Sequence, residues 1–570
     1  MLIAAGNLPD GTALHCDVAI VGSGPAGLTV AEELADRRCR VVILESGGSS
    51  SARRDRRHLV GESSGEPFPI VSSRARGFGG TSRLWNPETG LRVRRLDAID
   101  FDPLAARGAS RWPFGACELE PFYQRAEASL GLARGGADVD WPPDDPAGSD
   151  GGSKLASFQF TRHSVFLDRL DRLTASPWVE LMLGATVRGI EVSRDSGAVT
   201  ALQVTSHTAS NLRIEAKRYV LGCGAIENAR LLLESPGLTG GGVGNEHDQV
   251  GRWFMDHLCV DTGVIAPSIG AGLGTLTVSE LTGPSPSADE GHHMLWVGEA
   301  AIRHEDLLNA AFWIFPAPRA YVSPAVQSIR ALRMGLKSTP KRLEAPARLG
   351  RALRGGPQLA GFALSRLLGS ARSGSLVLRA LCEQLPDPRS RVTLSERRDA
   401  SGRRLVDLNW RVSPDDVLQL RRHQEILAER LLQRREGTII DCLPVDGSPP
   451  LFWTNHHHLG GTRIHADPKQ GVVDAGGRVH SAPNLFVVGG SVFPTGGYVN
   501  PTFTIIALAI RAAELIRREL SGCVPVSKGQ LGDDRQVVGG AVRPDLGLEG
   551  EEVGGVEDVV DSRKWEPQAQ

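Results

Sequence analysis

Among its eight cysteines the 570-residue chain has no Cys-x-x-Cys pair. It has no surplus of either charge and no apolar run long enough to cross a bilayer. Each absence excludes something. Cysteines scattered at positions 16, 39, 117, 223, 259, 382, 442 and 523 fit the reduced thiols of a cytoplasmic protein and argue against a disulfide framework or a zinc site. A formal net charge of −2 leaves no sustained basic surface, so nucleic acid is not an expected partner. Met1 to His15 carries no basic segment followed by an apolar core, so neither a leader nor a transmembrane segment is expected. With 41% hydrophobic residues there is ample core, and the length suits about three or four domain-sized units.

What the chain does contain begins at Cys16. Asp17-Val18-Ala19-Ile20-Val21 reads as a buried strand, Gly22-Ser23-Gly24-Pro25-Ala26-Gly27 as a glycine turn, Leu28 to Asp36 as an amphipathic helix, and Arg40 to Leu44 as a second strand ending in Glu45. This is the pattern of a dinucleotide-binding βαβ unit. Gly22 permits the tight turn, Gly24 lets backbone approach a pyrophosphate, and Gly27 lets helix and strand pack. Glu45 stands where a carboxylate accepts hydrogen bonds from a ribose and would repel a 2′-phosphate. Arg53 to Arg57 reads as a solvated basic face. The run from Arg74 to Asn86, with Arg76, Gly79, Gly80, Thr81, Ser82 and Trp85, places small residues and hydroxyls between aromatic groups, a composition suited to bringing backbone close to a flat ligand or its phosphates.

Val179 to Val187 reads as a strand pair joined at the small-residue turn around Gly184, and Arg218 to Asn228 as strand, glycine turn and the start of a helix over Ala229 to Leu233. The nucleotide-binding unit is therefore expected to be built from separated pieces. The most concentrated chemistry lies between Asn455 and Glu514. Asn455-His456-His457-His458-Leu459-Gly460-Gly461-Thr462-Arg463 precedes a buried parallel strand, Asn484 to Gly490, and a loop then leads to Asn500-Pro501-Thr502. Asn500 suits an N-cap, Pro501 the first helical position, and Phe503 to Ile516 the helix. A neutral His458 could accept a hydroxyl proton while Asn500 holds the oxygen near a helix start that favours negative charge. Three adjacent histidines could equally form a metal site or a surface loop, and Asn500 could be only a cap.

These stretches, together with Gly222 to Glu227, Val250 to His257 and Gln384 to Val392, resemble the glucose-methanol-choline (GMC) oxidoreductases over residues 14 to 520. The likeness is greatest to the sugar-oxidising branch, which includes pyranose 2-oxidase, fructose dehydrogenase catalytic subunits and aminoglycoside 6′-alcohol oxidases. The resemblance implies FAD and the catalytic pair His458 and Asn500; no metal is expected, because no carboxylate or cysteine near the three histidines completes a site. It implies flavin contacts from Gly22, Gly24, Pro25, Ala26, Gly27, Glu45, Arg76, Gly79, Gly80, Thr81, Ser82, Trp85, Asn86, Thr186, Val187, Gly222, Gly224, Gly490, Ser491, Pro501 and Thr502. Leu84 stands where part of the family carries a histidine joined to the flavin, so the FAD is expected to be bound without a covalent bond. Gly489-Gly490-Ser491 replaces a motif in which many relatives have an acid.

The expected fold is α/β: a discontinuous Rossmann-like FAD-binding domain with a second, substrate domain built on an antiparallel sheet with helices. The FAD-binding domain is expected to comprise 14–100, 176–257 and 451–520. Residues 101–175 form an excursion, and 258–450 the substrate domain. Within that domain residues 319–372 carry eleven Lys or Arg and one acid, Glu344, and read as short basic helices; the acidic stretch 530–570 reads as disordered. The implied activity is oxidation of a hydroxyl of a sugar or glycoside, such as an aminoglycoside intermediate, with oxygen or another electron acceptor. The alternatives are a lyase with a non-redox flavin and a non-enzymatic electron-relay module.

Overall fold

The structure, a computed structural model, describes residues 1–521 apart from 36–37, 50–56, 88–89, 103–107, 109, 133–137, 141–152, 207, 209, 268–291, 319–320, 322, 324, 327, 331–355, 358, 361–362, 364–373, 400, 434–436, 444–449 and 451. Most of the basic stretch 319–372, the acidic stretch 530–570 and Arg53 to Arg56 thus lie outside the described residues. Among the described residues no helix is long and apolar enough to cross a membrane.

The first sheet is built from the continuous apolar runs. Val18 to Val21 and Val41 to Leu44 are buried on both faces, the pattern a parallel sheet covered by helices requires. Strand Thr12–Val21 pairs in parallel with Val41–Glu45 on one side and Asn211–Leu221 on the other, and Val41–Glu45 pairs in turn with Val179–Leu183. Strand Asn211–Leu221 has two partners along one edge. Its first half meets Val199–Ser206 in antiparallel register, and its last three residues meet Leu485–Val487 in parallel. The closing segment is thereby delivered beside the first glycine turn.

Two local expectations are corrected. Val179–Leu183 and Ala185–Val192 do not pair with each other: the first lies in the parallel part of the sheet and the second pairs antiparallel with Val199–Ser206. The helix after Gly222 spans Ala225–Glu234, starting four residues earlier than expected, because Gly224 at φ 82 already turns the chain into it.

The second sheet is antiparallel and nine-stranded. Its central order is Leu258–Pro267, Gly374–Cys382, Ala310–Pro318, His292–Trp296, Lys154–Thr161 and Leu91–Val93. A small third sheet joins Arg391–Arg398, Arg404–Asn409 and Gly61–Ser63. Helix Thr502–Ser521, apolar along its buried face, packs against helices Pro25–Ala35 and Ala116–Leu130 and ties the closing segment to the first βαβ unit.

Candidate functional site

One cavity of about 270 Å³ runs from the first glycine turn to the histidine cluster. Its floor is made where backbone meets backbone. A Cβ on Gly27 would stand 2.1 Å from the Gly22 carbonyl oxygen, one on Gly22 2.7 Å from the Gly222 carbonyl oxygen, and one on Gly80 3.0 Å from Gly24 Cα. Only glycine lets these three segments come so close. The helix Pro25–Ala35 starts there with no acidic residue in its first turn, and its free N–H groups make a site for a phosphate group.

Glu45 is buried against this cradle, and its carboxylate is a clasp. One oxygen accepts Ser23 N–H (3.2 Å) and Ser23 Oγ–H (2.7 Å); the other accepts Gly47 N–H (2.7 Å) and Gly77 N–H (3.1 Å). All four acceptor positions of a carboxylate are thus filled from three loops. A ribose hydroxyl reaching Glu45 would share or displace one of these bonds. Arg76 bridges the neighbouring wall, with Nε to Ser46 Oγ at 2.8 Å and Nη2 to Thr186 Oγ1 at 2.7 Å.

Most of the expected residues line this one cavity: Gly22, Gly24, Pro25, Ala26, Glu45, Arg76, Gly80, Thr81, Trp85, Thr186, Val187, Gly222, Gly224, Gly490, Pro501 and Thr502, with His458 and Asn500. Gly27, Gly79, Ser82, Asn86 and Ser491 do not. Gly27 and Gly79 act through backbone packing, and Ser82 turns inward to donate to the Gly79 carbonyl at 2.7 Å. Ser491 receives a hydrogen bond from Asn228 Nδ2 at 2.9 Å, which joins the closing loop to the helix Ala225–Glu234.

At one end lies a charge cluster that the sequence reading missed. Glu227 accepts from Arg74 Nη1 at 2.6 Å, with Arg230 at 3.6 Å and Arg403 at 3.8 Å, while Arg230 Nη2 donates to Asp399 at 2.8 Å. Burial alone would raise the Glu227 carboxyl, but Arg230, Arg74 and Arg403 outweigh it and hold it at about 2. The only local signal was Glu227 and Arg230, three apart on one helix.

At the other end the histidine turn hangs on Asp256. Its Oδ1 accepts the N–H of His257 (2.8 Å) and of His457 (2.9 Å), its Oδ2 accepts that of His456 (3.1 Å), and Asn455 Nδ2 donates to the His257 carbonyl at 2.8 Å. Burial raises the Asp256 carboxyl to about 7 against these bonds. His456 takes φ 59, the left-handed region uncommon for a side-chain-bearing residue, and so turns the chain between Asn455 and His457.

His257 Nε2 lies 3.3 Å from the Gly496 carbonyl, which can only accept; His257 Nδ1 must then accept from His457 Nδ1, 2.9 Å away. That leaves His457 Nε2 without a proton. The His458 ring packs on Phe68 (5.3 Å) and Phe254 (5.9 Å), and burial, then His456 and Arg74, hold it well below 6.5, so it is neutral at pH 7. Its backbone is fixed by paired bonds between Leu459 and Met255 and by Gly490, where a Cβ would stand 2.5 Å from the His458 carbonyl oxygen.

Asn500 is not a cap. Helix Thr502–Ser521 begins after Pro501, whose carbonyl accepts the first bond from Ile505 N–H, and the Asn500 side chain stays in the site. Its Oδ1 accepts from Arg92 Nη2 at 3.4 Å, while Asn500 Nδ2 and His458 Nε2 are buried polar atoms with no hydrogen-bond partner among the described residues. Two orphaned groups lining a cavity that opens at a phosphate cradle fit a dinucleotide whose reactive ring lies beside them.

The comparisons agree with this geometry. A model described as "GMC oxidoreductase" matches residues 386–509, which hold the histidine turn and Asn500, and one described as "NAD(P)-binding Rossmann-like domain" matches residues 20–82, which hold the glycine turn. Paromamine 6'-oxidase of Streptomyces fradiae is 27% identical over 88% of this chain and 92% of its own. 6'''-hydroxyparomomycin C oxidase of Streptomyces lividus is 26% identical over 89% of this chain and 92% of its own. Pyridoxine 4-oxidase from Mesorbium loti shares the fold, with a TM-score of 0.52 at 19% identity over 88% of this chain and 99% of that one. With the glycine cradle at one end of the cavity and the histidine turn at the other, the chain carries a Rossmann-like domain over residues 20–82 and a GMC oxidoreductase domain over residues 386–509, and it is similar over most of its length to sugar-oxidising relatives.

Proposed function

We propose that this protein is an FAD-dependent alcohol oxidase or dehydrogenase that converts a hydroxyl of a sugar or glycoside to the carbonyl, an aminoglycoside intermediate being one such substrate. The observation that carries this reading is the pair of unpartnered buried groups, His458 Nε2 and Asn500 Nδ2, on the cavity that begins at the glycine cradle. FAD, when bound, supplies the acceptor of the hydride that leaves carbon. Gly22, Gly24 and the start of helix Pro25–Ala35 would hold its pyrophosphate, and Gly80, Thr81, Trp85 and Thr502 line the remainder. Leu84 on the same wall has no group that could form a covalent bond to it, which supports non-covalent attachment.

His458 is the proposed base. Its neutral ring can take the hydroxyl proton at pH 7, and its packing between Phe68 and Phe254 limits the orientations in which it can do so. Asn500 holds the hydroxyl oxygen through Nδ2. The relatives named for action on paromamine and on hydroxyparomomycin support an aminocyclitol glycoside class of substrate. We further place the FAD-binding domain at 14–100, 176–257 and 451–520 and the substrate domain at 258–450, a division supported by the two separate large sheets except at Leu91–Val93 and Phe452–Thr454, which pair within the antiparallel sheet. The free thiols of the seven described cysteines support a cytoplasmic location.

The test is anaerobic. The yellow protein is mixed with sugars, glycosides and aminoglycoside intermediates, and flavin absorbance is followed before air is admitted. Bleaching by one compound, abolished in His458→Ala, is the expected result, and recolouring in air separates an oxidase from a dehydrogenase. Turnover of a compound without bleaching would replace oxidation by a lyase reaction.

A further inference from the structure

Arg92 is a buried cation beside the site, 2% exposed, whose only hydrogen bond among the described residues runs from Nη2 to Asn500 Oδ1 at 3.4 Å. Among the described residues its Nε and Nη1 have no hydrogen-bond partner, and no carboxylate is among the groups that act on its charge. The guanidinium instead lies against the rings of Trp313 (3.9 Å) and Phe158 (4.6 Å), one on each of two other strands of the antiparallel sheet. Burial of a charge without a counter-ion is costly, and an aliphatic side chain would fill the same space without that cost. The titratable groups facing it are Cys259, Tyr498, His257 and His457. Burial raises the Cys259 thiol to about 11 and the Tyr498 phenol further, and it lowers both histidines, so none of them is charged near neutral pH.

We propose that Arg92 is a positioning residue that fixes Asn500 as a hydrogen-bond donor and makes the Asn500 corner of the cavity a site for an oxygen gaining negative charge. An arginine can only donate, so the Asn500 atom facing it must be the amide oxygen. The amide nitrogen, buried and unpartnered, is thereby turned to the other side as a donor. The uncompensated positive charge behind the amide strengthens that donor toward an alkoxide-like oxygen more than toward a neutral hydroxyl, which is the difference that accelerates a reaction. Leu91, next along the strand, lines the cavity while Arg92 lies beneath it, so Arg92 acts through Asn500 without touching substrate.

This inference rests on the oxidation reading for its kinetic arm only. Arg92→Met keeps the stack on Trp313 and Phe158 and removes the charge. It is expected to lower kcat/KM roughly tenfold or more, mostly through kcat, with FAD content and melting temperature retained, while Arg92→Lys recovers part of the loss. In an Asn500→Ala background the same change is expected to do little; an equal factor in both backgrounds would show that Arg92 does not act through Asn500. The second arm needs no turnover: acetate, a small oxygen anion, is titrated against the holoprotein and followed by perturbation of flavin absorbance. Binding that weakens about tenfold in Arg92→Met supports the proposal. Equal affinity in both proteins, or no response in the parent, overturns it. A clear acetate difference in a protein that oxidises no sugar or glycoside would leave the Arg92 assignment standing and remove the oxidation reading.

Discussion

At one end of the cavity Glu227 sits among the guanidinium groups of Arg230, Arg74, Arg403 and Arg76 and is held at about 2, whereas at the other end Asp256 faces backbone N–H groups and is raised to about 7. Asp256 is fully buried and Glu227 partly so, and the surrounding cations account for most of the opposite outcome. The Glu227 end keeps permanent charges in fixed pairs. The His458 end keeps its imidazoles neutral, with His257 lowered to about 4 and His457 and His458 held well below 6.5 by burial. A region of neutral imidazoles with a guanidinium behind Asn500, unpaired among the described residues, lets the negative charge that develops in a reaction be felt most strongly, and one built of paired charges resists change. The Glu227 arrangement suits holding a cofactor, and the His458 arrangement suits moving a proton.

The contrast is broken most severely at His458. His458→Ala removes the proposed base and leaves the cradle untouched, so kcat/KM is expected to fall by about 10²–10⁴ with FAD retained, as measured by steady-state kinetics beside the ratio of flavin to protein absorbance. A variant that loses FAD instead would move His458 from chemistry to cofactor binding. Glu227→Gln should do the reverse. Its three nearest guanidinium groups lose their shared counter-charge, which is expected to cost about 3–5 kcal/mol of stability, read as a lower urea midpoint. The pH profile of kcat/KM should stay where it was. A shifted profile would show that the two ends are electrically coupled.

How much of this contrast could be read from the chain depends on how local each cause is. Gly22 to Gly27, the strand Leu485–Val487 and the entry to helix Thr502–Ser521 were legible because neighbouring residues set their conformation. His458 and Asn500 were legible as candidates, although Asn500 read equally well as a cap until the helix was seen to start after Pro501. The charges were not legible. Arg92 meets Asn500 across 408 residues, Arg74 meets Glu227 across 153, and Asp256 meets His456 across 200, and no periodicity records such pairings. Glu45 shows the same limit from the other side: its place at the strand end was legible, but its four bonds to Ser23, Gly47 and Gly77 depend on the preceding glycine turn and on where the later Gly77 loop returns.

Asp256 gives the finest test, because its sign is opposite to that of Glu227. A carboxyl at about 7 in the folded protein and near 3.8 when unfolded favours folding in its protonated form. Its contribution is fully present below about pH 4 and is lost as pH rises through about 7. Glu227, held at about 2, contributes stability that is present above its unfolded value of 4.5 and lost only as pH falls toward 2, outside that window. The lowered histidines stabilise above 6.5 and lose that contribution on acidification, so they oppose Asp256 within the window, and the parent protein alone would not isolate it. The difference between the parent and Asp256→Asn does isolate it. Relative to the variant, the parent is expected to lose about 2–3 kcal/mol between about pH 5 and pH 8, measured as the gap between urea-unfolding free energies. A gap that stays flat would mean that the three N–H donors of His257, His456 and His457 keep Asp256 ionised throughout, and that the histidine end carries a standing negative charge after all.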